Sequence, residues 1–228
     1  MSAKVTSNRQ PRAEATRAHI VATAALAFAE RGYEGVSLND LVAASALSKG
    51  AFYFHFASKE DLALAAFRAK QEELVSRLLA NELPESASEQ VEALLRRRAR
   101  LIREDPSFGC VTRLGSELNV RSAPGSAYVG FQELALSLIA DIVRHGQARR
   151  EFRADLDAEA AARVIFAAIV GIDVLSLLSS GGKDLEERSD ELIELLLAGL
   201  QSRAETSNVP TQGKERDHGA RRTTRVPR

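Results

Sequence analysis

The sequence predicts an all-α protein. Three observations carry that expectation. Apolar residues recur at helical spacing in about nine successive segments, and no stretch alternates as a strand would. Serine and aspartate stand where helices would start, and glycine or proline where they would stop. Residues 37–62, SLNDLVAASALSKGAFYFHFASKEDL, hold two short apolar-patterned segments joined by a small-residue turn, the pattern of a helix-turn-helix.

The elements follow in order. Residues 1–11 are polar. Ala13 to Glu30 reads as a helix with Ile20, Ala24, Ala27 and Phe28 on one stripe, ended by Arg31-Gly32. Ser37 caps a short helix to about Ala44, with Asp40 in the capping-box position. Ser48 caps the next, to about Phe54. Ser58 caps a longer one, with Asp61 three residues on, to about Leu79. Pro84-Glu85-Ser86 breaks the chain, Ser88 to Arg103 is helical, and Asp105-Pro106 stops it. Ser107 to Asn119 is a further helix, and Arg121 to Gly125 a loop. Tyr128 to Arg149 is long and amphipathic. Asp157 to Ser180 is apolar almost all round, Gly181-Gly182 ends it, and Leu185 to Leu200 forms the last helix.

Composition bounds the function. With 45% apolar residues the chain can bury a core. Its one cysteine, Cys110, allows no intrachain disulfide, which suits a reducing compartment. No run of 18 apolar residues and no apolar N-terminal signal core occur, so neither a membrane span nor export is expected, and the localisation read from this is cytoplasmic. Net charge is zero but unevenly spread. Residues 1–60 carry seven Lys/Arg against five Asp/Glu, and residues 205–228 six against three, which leaves a net of −5 for the segment between. Enzymatic readings find little support. Cys110 has no evident His partner, the four histidines lack metal-ligand spacing, and no phosphate-binding glycine pattern occurs. No catalytic residue, metal or cofactor is expected.

The segment 37–62 suits DNA. Leu38, Leu41, Val42, Leu47 and Phe52 pack inward with Phe28 and Leu62, together with Phe54 and Phe56 of the FYFHF run. The opposite face of residues 48–54 is then free to enter a major groove. Lys49 can reach a phosphate or a guanine edge. Helix starts behind Ser37, Ser48 and Ser58 present backbone N–H groups to phosphate oxygens. Tyr53, His55 and Lys59 are placed for backbone contacts, and Ser48, Lys49, Gly50 and Ala51 for the bases. For His55 a structural role is the alternative.

ALSKGAFYFHFASKEDL resembles the DNA-binding signature of TetR-type (tetracycline-repressor-like) regulators. Glu30-Arg31-Gly32-Tyr33 and Ser-Leu-Asn-Asp-Leu-Val fit as well, so the resemblance spans about Thr16 to Leu64. It implies a homodimer of nine or so helices. The first three would bind a palindromic operator, the fourth link, and the others form the pocket for a small-molecule inducer and the dimer interface. Such proteins are mostly repressors that leave DNA when the small molecule binds. Lys49, Tyr53, His55 and Lys59 match family positions that often contact DNA. One departure is Ala46, at a turn position usually held by glycine; with positive φ it costs roughly 1 kcal/mol. A narrower resemblance, carried by KGAFYFHFASKEDLA, Val111-Thr112-Arg113-Leu114 and AAARVIFAAIVGIDVLS, is to the γ-butyrolactone receptor branch, which controls antibiotic production. Receptors there place a tryptophan against the lactone. This chain has none, and Phe131 occupies that region. A pseudo-receptor answering to an antibiotic or another apolar compound is the alternative.

The organisation expected is therefore a disordered arm over 1–12, a helix-turn-helix domain over 13–57, a ligand-binding and dimerisation domain over 58–204, and a disordered basic tail over 205–228. Pocket candidates are Phe108, Arg113, Leu114, Leu118, Phe131, Leu134, Ile165, Phe166 and Ile169. The helices at about 157–180 and 185–200 are apolar enough to pair with their copies in a second chain. A buried central helix in a monomer is the alternative there. A helical protein–protein adaptor is the competing functional class.

Overall fold

In the computed structural model, residues 9–119 and 127–201 are described. They form nine α-helices: α1 (Arg9–Arg31), α2 (Leu38–Ala44), α3 (Lys49–His55), α4 (Lys59–Leu78), α5 (Ala87–Glu104), α6 (Gly109–Asn119), α7 (Ala127–Ala148), α8 (Ala158–Ser180) and α9 (Leu185–Leu200). A 3-10 turn, Pro106–Phe108, leads into α6. No named strand occurs among these residues; one isolated bridge joins Phe152 to Gln201. Residues 1–8, the loop read at 121–125 and the basic tail lie outside the described residues.

The caps explain most boundaries. Ser37, Ser48 and Ser58 each accept a hydrogen bond from the backbone N–H three residues on, at 3.1, 3.2 and 3.0 Å. Asp157 does the same for α8 at 2.6 Å. Gly181 closes α8 in the left-handed conformation at φ 67°, and the N–H groups of Gly181 and Gly182 satisfy the Leu177 and Ser176 carbonyls. Several starts differ from expectation by one to four residues. α1 begins at Arg9, not Ala13, because a polar first turn carries no periodic apolar signal and Pro11 is tolerated there. α5 begins at Ala87, one residue before Ser88, because Ser86 caps it by accepting from the Glu89 N–H.

Two hydrophobic cores organise the chain. The first unites Ile20, Ala24 and Phe28 of α1 with Leu41 and Val42 of α2, Phe52 of α3, and Leu62, Ala66 and Phe67 of α4, then continues into Cys110, Val111 and Leu114 of α6. The second joins α5, α7, α8 and α9 through residues such as Val91, Leu95, Val143, Phe152, Ile165 and Ile193. Burial of each of the larger side chains (Val, Leu, Ile and Phe) contributes about 1.5–3 kcal/mol. The head, α1–α3, is thus continuous in packing with α4 and α6, and does not close upon itself at residue 57.

The head corrects one expectation. Phe52 and Phe56 are buried, but Phe54 is 80% exposed. In a helix, positions i and i+4 share a face and i+2 points away. The three phenylalanines of FYFHF cannot all enter one core.

α8 has the length and composition of a membrane-crossing helix. Here it packs against α7 and α9, and its buried Asp173 is held by side chains of the body. Its outer face, with Val164, Leu175 and Leu178, is exposed, as is Leu195 of α9.

Candidate nucleic-acid interface and effector cavity

The turn between α2 and α3 is set by Ala46 at φ 54°, the left-handed region in which a Cβ is strained. His19 of α1 steadies it, its Nε2 lying 3.1 Å from the Ser45 carbonyl oxygen. The helix-turn-helix therefore sits on α1 in a defined register, with α3 presented outward.

The three helix starts differ electrostatically. At α2, the Asp40 carboxylate accepts a 2.9 Å hydrogen bond from the Ser37 N–H, and that bond holds its pKa below the ordinary value. The Ser37 cap is thus filled by the protein's own anion. α4 carries Glu60 and Asp61 in its first turn. α3 carries no acid there, which makes its start the most favourable of the three for a nearby phosphate.

On α3, Ser48, Lys49 and Gly50 are exposed and Ala51 is half-buried. Nothing lies within 4 Å of where a Gly50 Cβ would stand, so the surface beside it is open. Tyr53 is half exposed, and His55 is partly covered with its ring edge-on to Phe54 at 5.1 Å. Lys59 places its ammonium 4.0 Å from the Tyr33 ring centroid. The residues brought together on the open face are Lys49, Gly50, Tyr53 and Phe54. Sequence reasoning missed Phe54 because alternation was read as burial; helical period was the signal that finds it.

In the body, α4, α5, α6, α7 and α8 enclose a small cavity of about 70 Å³. Phe108, Phe131, Phe166 and Ile169 line it, as do Leu74, Val111 and Val170. Phe131 meets Phe67 and Phe166 edge-on, at 6.2 and 6.4 Å between centroids. The other pocket candidates lie elsewhere. Leu114 and Ile165 are buried in the two cores, and Leu134 is 52% exposed. Arg113 lines a separate cleft against α1, and the Leu118 side chain is outside the described residues.

The polar part of the cavity was not anticipated. Arg98 of α5 grips Asp173 of α8 in a two-pronged ion pair, Nη1 to Oδ1 at 2.7 Å and Nη2 to Oδ2. Thr112 of α6 donates to Asp173 Oδ2 at 3.2 Å. Asp173 is 7% exposed. A buried pair of this kind costs more in desolvation than an apolar replacement would, unless its hydrogen bonds are complete. The signal was present in the sequence: Asp173 interrupts an otherwise apolar run well past its first turn. Cys110, in the first turn of α6, is buried in the first core, and burial pushes its thiol up to about 12, so it stays protonated and unreactive. Among the described residues no three His, Cys, Asp or Glu side chains converge as a metal site.

A three-helix head offering a short, acid-free helix, fused to a helical body with an apolar cavity, defines a helix-turn-helix transcriptional regulator that senses and binds within one chain. Comparison with known proteins agrees. Residues 20–66 match the model of bacterial regulatory proteins of the tetR family. A solved structure described as the molecular basis for control of antibiotic production by bacterial hormones is 32% identical, covers 82% of this chain and 98% of its own, and superposes with a TM-score of 0.69. TylP, a TetR regulator from Streptomyces fradiae, is 31% identical over 85% of this chain and 90% of its own, with a TM-score of 0.59. The A-factor receptor protein of Streptomyces griseus is 25% identical over 90% of this chain and 71% of its own. The chain belongs to the TetR family, near its γ-butyrolactone receptor members.

Proposed function

We propose that the protein is a homodimeric repressor that leaves a palindromic operator when a γ-butyrolactone-type signal enters the body, and that it controls secondary metabolism from the cytoplasm, where it associates with the nucleoid. The observation that carries this reading is the position of α6. One face of α6 contributes Val111, Thr112 and Ser116 to the cavity, while Glu117 holds the end of α1. A ligand that enlarges the cavity moves the helix on which the head rests.

In this reading residues 13–57 serve DNA and residues 58–204 serve ligand and dimer. Lys49, Tyr53 and Phe54 enter the groove, Ser48, Gly50 and Ala51 lie nearest the bases, and Ser37, His55 and Lys59 flank the backbone. The dimer forms along α8, where Val164, Ala168, Gly171, Leu175 and Leu178 fall on one stripe at spacings of three and four. Gly171 has open space around it, so a partner helix approaches closely there. α9 adds Leu195.

The pseudo-receptor reading is favoured by one observation. Phe131, not tryptophan, lines the cavity and is wedged between two phenylalanines, and the polar wall is an ion pair. A mobility-shift experiment on the protein's own upstream DNA decides between the two. Release by a γ-butyrolactone supports the receptor, release by other apolar compounds alone supports the pseudo-receptor, and no operator binding refutes both.

A further inference from the structure

We propose that the cleft between the head and the end of α8 is a second small-molecule site, built for an amphipathic anion. At about 360 Å³ it is larger than the inner cavity and within the range that holds small ligands. Its walls come from three regions: α1 (Leu26, Ala29), the α5–α6 corner (Ile102, Pro106) and the end of α8 (Leu177). These give it an apolar floor.

Its charged lining is unbalanced. Arg103 is neutralised by Glu186, Nη1 to Oε2 at 2.5 Å. Arg113 and Lys183 have no ion pair among the described residues, and one carboxylate, Glu30, shares the lining with them. Two carbonyls near the end of α8, those of Leu177 and Ser176, are already satisfied by the N–H groups of Gly181 and Gly182. Most telling, Arg113 Nε is shielded from solvent and has no protein acceptor. Leaving a buried donor without an acceptor is costly, so such atoms call for a partner. A carboxylate or similar oxyanion supplies it, accepting from Arg113 and facing Lys183, while an apolar tail lies on Leu26, Ile102 and Leu177. The ligand would touch α1 and α8 together and so fix the head against the body. This site is independent of whether the inner cavity holds the effector.

The test is calorimetric titration of the full chain with octanoate and with uncharged octanol. The site predicts that octanoate binds at least tenfold more tightly than octanol. Arg113→Gln should weaken octanoate about tenfold or more, and Lys183→Gln, on an exposed turn, a few-fold. Val170→Phe, which fills the inner cavity, should leave octanoate affinity unchanged. Equal binding of acid and alcohol, indifference to both charge variants, or loss of binding in Val170→Phe would each overturn the proposal.

Discussion

Glu117 of α6 accepts a 2.5 Å hydrogen bond from the backbone N–H of Tyr33, one residue past the glycine that ends α1. The fit is close: a Cβ on Gly32 would stand 2.5 Å from Glu117 Oε1. Gly32 itself sits at φ 72°, so its backbone favours glycine, and any side chain there would push the carboxylate aside. The carboxylate thus clamps the corner at which the head leaves the body. Glu117→Ala should lower stability by about 1 kcal/mol and shrink the ratio of operator affinities without and with effector. Glu117→Gln, which keeps an acceptor, should restore most of that ratio. Anisotropy titrations of labelled operator measure it; a ratio unchanged in the alanine variant would remove Glu117 from the coupling.

The Arg98–Asp173 pair separates stability from recognition. Asp173→Ala leaves a buried guanidinium without its counter-charge and should cost about 3–5 kcal/mol in urea unfolding. The double change Arg98→Met with Asp173→Leu removes both charges and should recover most of that loss. If the pair reads the effector, the double variant folds and binds operator but no longer responds. A double variant that responds normally would make the pair purely structural.

Phe52 and Phe54 lie on opposite faces of α3 and should part company on substitution. Phe52→Ala empties a fully buried position and should cost about 3–5 kcal/mol. Phe54→Ala should change stability by less than about 0.5 kcal/mol while lowering operator affinity. Thermal melts and operator binding on the same two variants check this; a large stability loss at Phe54 would place it in a contact the present geometry does not show.

Ala46→Gly should stabilise the chain by about 0.5–1 kcal/mol. The relief of a left-handed alanine exceeds the extra freedom glycine gains when unfolded. A higher denaturation midpoint is the expected result, and a lower one would show that the turn relaxes in solution.

The caps and breakers made the fold legible, because each acts within three or four residues of chain. Ser37, Ser48 and Ser58 all stand where their spacing to the next apolar segment put them. Tertiary choices were harder to read. α7 is apolar on more than one side, so its pattern did not show that Phe131 faces in and Leu134 out. Arg113 neighbours cavity residues in sequence, yet its position on the helix turns it toward α1. Arg98 looks like any other basic residue of an amphipathic helix. Only the approach of α8, some 75 residues on in the chain, gives it Asp173.

The most direct measurement is the affinity of the protein, taken as the proposed dimer, for a palindromic fragment of its own upstream region, across a salt series, for the native chain, Lys49→Ala and Tyr53→Ala. Each variant should bind at least tenfold more weakly. Lys49→Ala, which removes one phosphate contact per protomer, should also flatten the log–log salt slope by about 2. Unchanged affinity and slope in both variants would mean that α3 does not face the DNA.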